Sequence, residues 1–270
     1  VPGGPPPGEP AVLVTQLRSL GLDSTRTVLV HCSMRRLGRL AGGPVDLVQA
    51  LRTVLGPDGT IVVPTFTEGN SLSSRAYRSA TRGLSPASSV DHQSRMPGFD
   101  RRSTPSEGMG AFAETIRRNP AARRSAHPQS SFAALGPSAA GITDRHPLDC
   151  HLGERSPLGR LYDLDAHVLL AGVGFQVCSA LHLAEYRLPA PGPARRTYTC
   201  FQAEAGRRVR REFTDIELDD SDFGSIGRRL DLLPFVRRGP LGRGTARLLP
   251  LRPAVDFAVG WLTVHRTSQP

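Results

Sequence analysis

The chain has 270 residues, 39% of them hydrophobic, and a formal net charge of +10. It is long enough for one large domain or two small ones, and no apolar run approaches the roughly 20 residues of a membrane helix. All 34 basic residues are arginine. They fall in scattered pairs (Arg35-Arg36, Arg117-Arg118) without interleaved aromatics, which argues against a single-strand nucleic-acid binder.

Residues 1–9, rich in Pro and Gly, read as a disordered tail with no basic-then-apolar signal pattern. Pro10 to Leu20 carries Leu13, Val14, Leu17 and Leu20 at helical spacing, with Gly21 as its stop. Thr27 to His31 is β-branched and apolar, a buried strand. A helix is predicted from Pro44, with Leu47, Val48, Leu51, Val54 and Leu55 on one face. The turn at Gly56–Gly59 leads to a strand from Thr60 to Phe66, so a right-handed βαβ unit with parallel strands is expected.

Residues 67–102 have no strong period, the mark of a functional or mobile loop. Thr104, Pro105 and Glu107 predict a helix start, with Thr104 as N-cap and Glu107 closing a capping box, running to Arg118. Ala126 to Gly136 enters a short strand, and Ser156 to Tyr162 forms a short helix. Arg196–Ala203 and Arg208–Phe213 flank Ala205-Gly206 as an antiparallel hairpin. A helix over 219–230, a strand at Arg247 and a helix over 253–264 complete the chain. The fold expected is one α/β domain. Its sheet is mixed and largely parallel-cored, flanked by helices, with the hairpin in the C-terminal third.

The stretch Val168 to Arg187 organises the rest. An apolar run, Val168 to Ala171, is broken by Gly172 and Gly174, which invite backbone angles or close approaches that a Cβ forbids. With no third glycine, a dinucleotide motif is excluded. Ser179 opens a helix on which His182 and Glu185, three apart, share a face: a general base with its orienting carboxylate, or an ordinary satisfied pair. Ser33, Met34 and Arg35 follow a strand end, where ligands gather in α/β sheets. Cys32, Cys150, Cys178 and Cys200 are widely spaced and suggest neither a metal site nor a disulfide framework, so a cytoplasmic protein with free thiols and no metal is expected.

Several blocks in order carry a resemblance. They are His31-Cys-Ser-Met-Arg-Arg-Leu-Gly38, Gly59-Thr-Ile-Val-Val-Pro-Thr-Phe-Thr67, Thr104-Pro-Ser-Glu-Gly-Met-Gly110, Arg124-Ser-Ala-His-Pro-Gln-Ser130, Gly153-Glu-Arg-Ser-Pro-Leu-Gly159 and Leu181-His-Leu-Ala-Glu185. Together they resemble the aminoglycoside 3-N-acetyltransferase family from about Thr27 to Leu262. The resemblance implies an acetyltransferase domain over 10–270, with a fold other than that of the common N-acetyltransferase superfamily. It implies acetyl coenzyme A as donor and the 3-amino group of an aminoglycoside's 2-deoxystreptamine ring as acceptor. It supports His182 as the base with Glu185 as its partner; the oxyanion donors are then the Ser179 hydroxyl or loop amides near Ser33. It puts Ser33, Met34, Arg35, Thr104, Ser106 and Met109 on the coenzyme, with His127 shaping the pocket.

A cationic substrate needs local acids; Glu68, Asp149 and Asp163 are the candidates, ahead of the Asp215–Asp222 run. A monomer or homodimer is expected, binding neither nucleic acid nor membrane. Two alternatives stand beside this: an acetyltransferase of the same fold acting on another amine, and a non-catalytic basic module that binds nucleotide or RNA. Cys178 as an acetyl carrier is a further mechanistic option.

Overall fold

The computed structural model describes residues 9–22 and 27–266. In chain order the elements are α1 (Pro10–Ser19), β1 (Thr27–Cys32), α2 (Met34–Leu37), α3 (Pro44–Leu55), β2 (Thr60–Pro64), α4 (Arg75–Ala80), α5 (Pro86–Arg95), α6 (Gly110–Arg117), β3 (Arg123–Arg124), β4 (Phe132–Leu135), α7 (Ala139–Thr143), α8 (Pro157–Asp163), β5 (His167–Ala171), α9 (His182–Tyr186), β6 (Arg195–Glu204), β7 (Arg207–Ile216), α10 (Phe223–Leu230), β8 (Arg237–Leu241), β9 (Gly244–Pro250) and α11 (Leu251–Arg266).

One seven-stranded sheet runs β3-β4-β2-β1-β5-β9-β8. Its centre, β2-β1-β5, is parallel, and every outer pairing is antiparallel. The mixed, parallel-cored sheet expected from the sequence is therefore observed. Central strands buried on both faces are mainly apolar, and β1, β2 and β5 are, apart from Thr27, His31, Thr60 and His167. Their side chains alternate between two cores. Leu29, Val62, Val168 and Leu170 face one side, under α7 to α11. Val28, Val30, Ile61, Val63 and Leu169 face the other, under α1, α3 and α6. The hairpin β6-β7 stands apart as its own two-stranded sheet, turning at Ala205 and Gly206, both at positive φ.

Three expectations change. The helix predicted from Thr104 begins at Gly110. Thr104 Oγ1 accepts the Asp100 amide at 2.8 Å, Glu107 instead takes the Gly69 amide at 3.0 and 3.1 Å, and Gly108 and Gly110 adopt φ of +72° and +82°. Tertiary partners and two left-handed glycines override the local capping signal. The segment 67–102, expected to be irregular, contains α4 and α5, neither with a buried residue. Strand β8, Arg-Arg-Gly-Pro-Leu, was not foreseen; it lies at the sheet edge, where Pro240 is tolerated. The proposed tail, residues 1–9, falls outside the described residues apart from Glu9, which precedes α1. Among the described residues, no helix is long and apolar enough to cross a membrane, and all four cysteines are free.

Candidate active site

Because β1, β2 and β5 are parallel, their carboxyl ends share one edge. At the end of β5 the chain turns at Gly172, with φ +69°. A Cβ there would stand 3.0 Å from Arg36 Cβ and 3.1 Å from the Ser33 carbonyl, so glycine is what lets this turn sit against α2. Gly174 is extended and imposes no such demand. Two 3₁₀ turns, Phe175–Val177 and Ser179–Leu181, then deliver the chain into α9.

His182 opens α9. Its Nδ1–H donates to Glu185 Oε2 at 2.6 Å. Glu185 is 0% exposed, and its other oxygen accepts Arg266 Nη1 at 2.6 Å and the Asp219 amide at 3.0 Å. A carboxylate this deep is costly to bury without such partners. The imidazole packs on Phe223, centroids 4.6 Å apart. Among the described residues nothing hydrogen-bonds Nε2, which leaves that nitrogen available to a substrate.

A cavity of about 570 Å³ opens at the carboxyl edge, lined by Ser33, Met34, Arg35, Met109 and Ser179 from the expected set, together with His31, Phe66 and Val177; His182 and Glu185 are not in its wall, and the link to them runs through His31, whose charge His182 opposes. Ser179 Oγ lies 3.3 Å from His31 Nε2. Burial, with the nearby His182 adding to it, pulls the His31 pKa down to about 4, so the ring is neutral at physiological pH.

The cavity suits coenzyme A. Its walls are mainly apolar, as a pantetheine arm requires. Its far wall is the start of α6, where Met109 supplies no side-chain cap and the first-turn N–H groups await an anion. Arg35 is exposed beside it and, among the described residues, forms no ion pair. Thr104 and Ser106 do not line the cavity. The Thr104 hydroxyl is occupied by Asp100, and the Ser106 hydroxyl donates to Glu114 at 2.7 Å, which steadies α6.

The family model for aminoglycoside 3-N-acetyltransferases matches residues 29–263. The chain belongs to this family. It is 35% identical to the aminoglycoside N(3′)-acetyltransferase-like protein YokD of Bacillus subtilis, over 92% of this chain and 90% of that one. It is 34% identical to aminoglycoside N(3)-acetyltransferase VII of Streptomyces paromomycinus, over 93% and 90%. The YokD crystal structure superposes with a TM-score of 0.89 at 32% identity, covering 97% of this chain and 96% of that one. The structure of AAC-IIIb with CoASH superposes with a TM-score of 0.83 at 28% identity, covering 97% and 99%. The enzyme is therefore an acyltransferase of a family whose cosubstrate is acetyl coenzyme A.

In this acetyltransferase the three predicted substrate acids are dispersed. Glu68 follows β2 at the carboxyl edge, exposed, accepting the Ala76 amide at 3.3 Å. Asp149 is paired with Arg155 at 2.9 Å and has no bond to the dyad. Asp163 ends α8, just before β5 begins, and pairs with Arg160 at 3.6 Å. It thus sits at the amino ends of the strands, a strand length from His182, because a helix returning antiparallel to β5 must finish there. Asp219, from the run given second place, meets the dyad through its backbone amide, which donates to Glu185, while its carboxylate pairs with Arg266 at 3.6 Å. Burial would raise its carboxyl, but the Ser221 amide and hydroxyl and the charges of Arg266 and His182 outweigh that and hold it below the ordinary value.

Sequence reasoning also missed Arg266, since nothing local ties a C-terminal arginine to a residue 81 positions earlier. His31, taken as a structural strand residue, reaches Ser179. His127 is fully buried: its Nδ1 accepts the Gln129 and Ser130 amides at 3.1 Å and Nε2 donates to the Leu148 carbonyl. Burial, with His146 and His151 adding to it, lowers its pKa well below the usual value, so it is a neutral brace of the loop. A second brace joins the hairpin to the body: Asp215 accepts from His151 Nδ1 at 2.7 Å and from Tyr186 Oη at 2.6 Å. Cys178 is 1% exposed, and burial pushes its thiol up to about 12. It lies before α9 as an inaccessible, protonated thiol, which does not suit an acetyl carrier.

Proposed function

We propose that the enzyme transfers the acetyl group of acetyl coenzyme A to the 3-amino group of an aminoglycoside, on its 2-deoxystreptamine ring, with His182 as general base. The observation that carries this is the dyad itself: an imidazole fixed by a buried carboxylate, with no hydrogen bond to Nε2 among the described residues. Related structures hold the expected ligands, since AAC-IIIb binds CoASH and AAC-VIa binds sisomicin.

His182 Nε2 takes the proton from the attacking amine, while Glu185 fixes the Nδ1–H tautomer and favours the imidazolium that forms. Asp219, adjacent to the dyad, attracts the ammonium groups of the acceptor despite the chain's positive total. Ser179 donates to the thioester oxygen as negative charge grows there. His31 positions that donor: with the proton on Nε2, the neutral ring donates to Ser179 Oγ and leaves the hydroxyl proton free to point at the substrate. Ser33, Met34, Arg35 and Met109 hold the coenzyme.

The test is turnover with acetyl coenzyme A across a panel of aminoglycosides and unrelated polyamines, with the product's acetylated nitrogen located by NMR. Acetylation at the 3-amino position, abolished by His182→Ala, is the expected result. Turnover restricted to amines lacking 2-deoxystreptamine, or acetylation at another nitrogen, would overturn the acceptor assignment.

A further inference from the structure

The chain that leaves the hairpin meets α9 twice. Asp215, next to last in β7, reaches Tyr186, the residue after Glu185. Four residues on, the Asp219 amide donates to Glu185 itself at 3.0 Å. One short segment is thus registered against the carboxylate of the dyad and against its neighbour on the same helix. The hairpin shares no strand pairing with the seven-stranded sheet, so side-chain joints of this kind decide how it sits beside α9.

The joint at Asp215 is closed on every side. The residue is 1% exposed. Its Oδ2 accepts Tyr186 Oη at 2.6 Å, the His151 amide at 2.6 Å and His151 Nδ1 at 2.7 Å, and its Oδ1 accepts the Ile216 amide at 2.8 Å. A buried carboxylate is costly without such donors. The direction of the Tyr186 hydroxyl is set as well: it accepts the Leu152 amide at 3.3 Å and gives its own proton to Asp215. Gly153 makes room for the tyrosine ring, since a Cβ there would collide with it. His151 completes the joint from the body. Its Nε2 meets Gln129 Oε1 at 2.6 Å, and its ring packs on Tyr198 of β6 and Phe213 of β7, with centroids 4.4 and 5.3 Å away.

We propose that Asp215 is a positioning residue for the acceptor amine: through Tyr186 it fixes the hairpin, and the segment up to Asp219, against the helix that carries His182. The proposal rests on the reading of His182 as the base and adds to it what holds the amine's side of the site. The separation of the two substrates supports it. No residue of β6 or β7, and none of His151, Tyr186 and Asp215, lines the coenzyme cavity. The hairpin's exit meets the dyad directly through Glu185, whereas the cavity reaches it by way of His31. Loosening the joint therefore disturbs the amine and spares the coenzyme.

The test is steady-state kinetics of the full chain carrying Tyr186→Phe or Asp215→Asn, with each substrate varied in turn. The acceptor is the amine of the panel above that the wild type acetylates fastest, and the temperature is one at which melting curves show each variant folded. Tyr186→Phe keeps the ring against Gly153 and removes one hydroxyl, so it carries the test if Asp215→Asn does not fold. It should raise the acceptor KM roughly tenfold, the worth of one hydrogen bond to a charged group. Asp215→Asn, which also weakens the bond from His151 Nδ1, should raise it further. The KM for acetyl coenzyme A should stay near the wild-type value in both. The double variant should add little to Asp215→Asn, because the two groups act through one bond. A lower Tm with both KM values unchanged would mark a purely structural joint and overturn the proposal. An equal rise in both KM values would overturn it too, and either result leaves His182 as the base. A wild type that acetylates no amine overturns both readings.

Discussion

Arg266, in the last described turn of α11, holds the Glu185 carboxylate from across the sequence, and removing it is the sharpest test of the dyad. Glu185 has no solvent exposure, and its Oε1 depends on Arg266 Nη1 at 2.6 Å and the Asp219 amide at 3.0 Å. Taking away one member of a buried ion pair costs about 3–5 kcal/mol. The Arg266 side chain is 20% exposed, so the lower end, about 3 kcal/mol, applies. At about 2–4 °C per kcal/mol for a chain near this size, Arg266→Ala should lower Tm by about 6–12 °C. A carboxylate that has lost its anchor no longer orients His182, so kcat should fall by at least about tenfold while the KM for acetyl coenzyme A stays near the wild-type value. Arg266→Lys, which keeps the charge and one donor, should recover part of both losses. Scanning calorimetry and initial rates measured where each variant is fully folded supply the numbers. If Arg266→Ala melts within about 2 °C of the wild type and keeps its kcat, Glu185 is not held in this way and the derivation fails.

His182→Ala should reduce kcat by about 10²–10⁴-fold with little change in coenzyme affinity; near-normal kcat would remove it as the base. Glu185→Gln should slow turnover, and in combination with His182→Ala it should add little. Cys178→Ala should retain turnover, and a folded variant without activity would reinstate the acetyl carrier. Acid should destabilise the fold. Burial lowers His31 to about 4 and His146 to about 3, both from 6.5, so below pH 6.5 the unfolded chain binds protons that the native chain refuses. Stability is then complete above that value and falls as pH drops, by about 2 kcal/mol for each of these histidines between pH 7 and pH 5. Urea unfolding at the two pH values measures it, and equal midpoints would contradict it.

The parallel centre was legible because β1, β2 and β5 are mainly apolar and the turn at Gly56–Gly59 and the glycine at 172 mark the ends of β2 and β5. His182 and Glu185 were legible because their partnership is local, three residues on one short helix. What stayed hidden depends on distance along the chain. Arg266 and Asp219 reach Glu185 from 81 and 34 positions away, and His31 reaches Ser179 across 148. The helix expected at Thr104 failed for the same reason: its capping residues found better partners in Asp100, Gly69 and Glu114. The place of Asp163 was hidden because sequence does not say at which end of the sheet a helix finishes.

The segment carrying α4 and α5 leans on the hairpin, through Phe99 and Ser71 beside β6 and Arg208 against the Gln93 carbonyl, yet buries no side chain from either helix. Substitutions there leave the stability margin almost untouched, whereas the same changes in β1 or β5 would erode it. Selection is thus free to rewrite the exposed faces of α4 and α5 while the strands stay fixed, and a lineage of such enzymes can change this surface by point mutation, without passing through unfolded intermediates on the way.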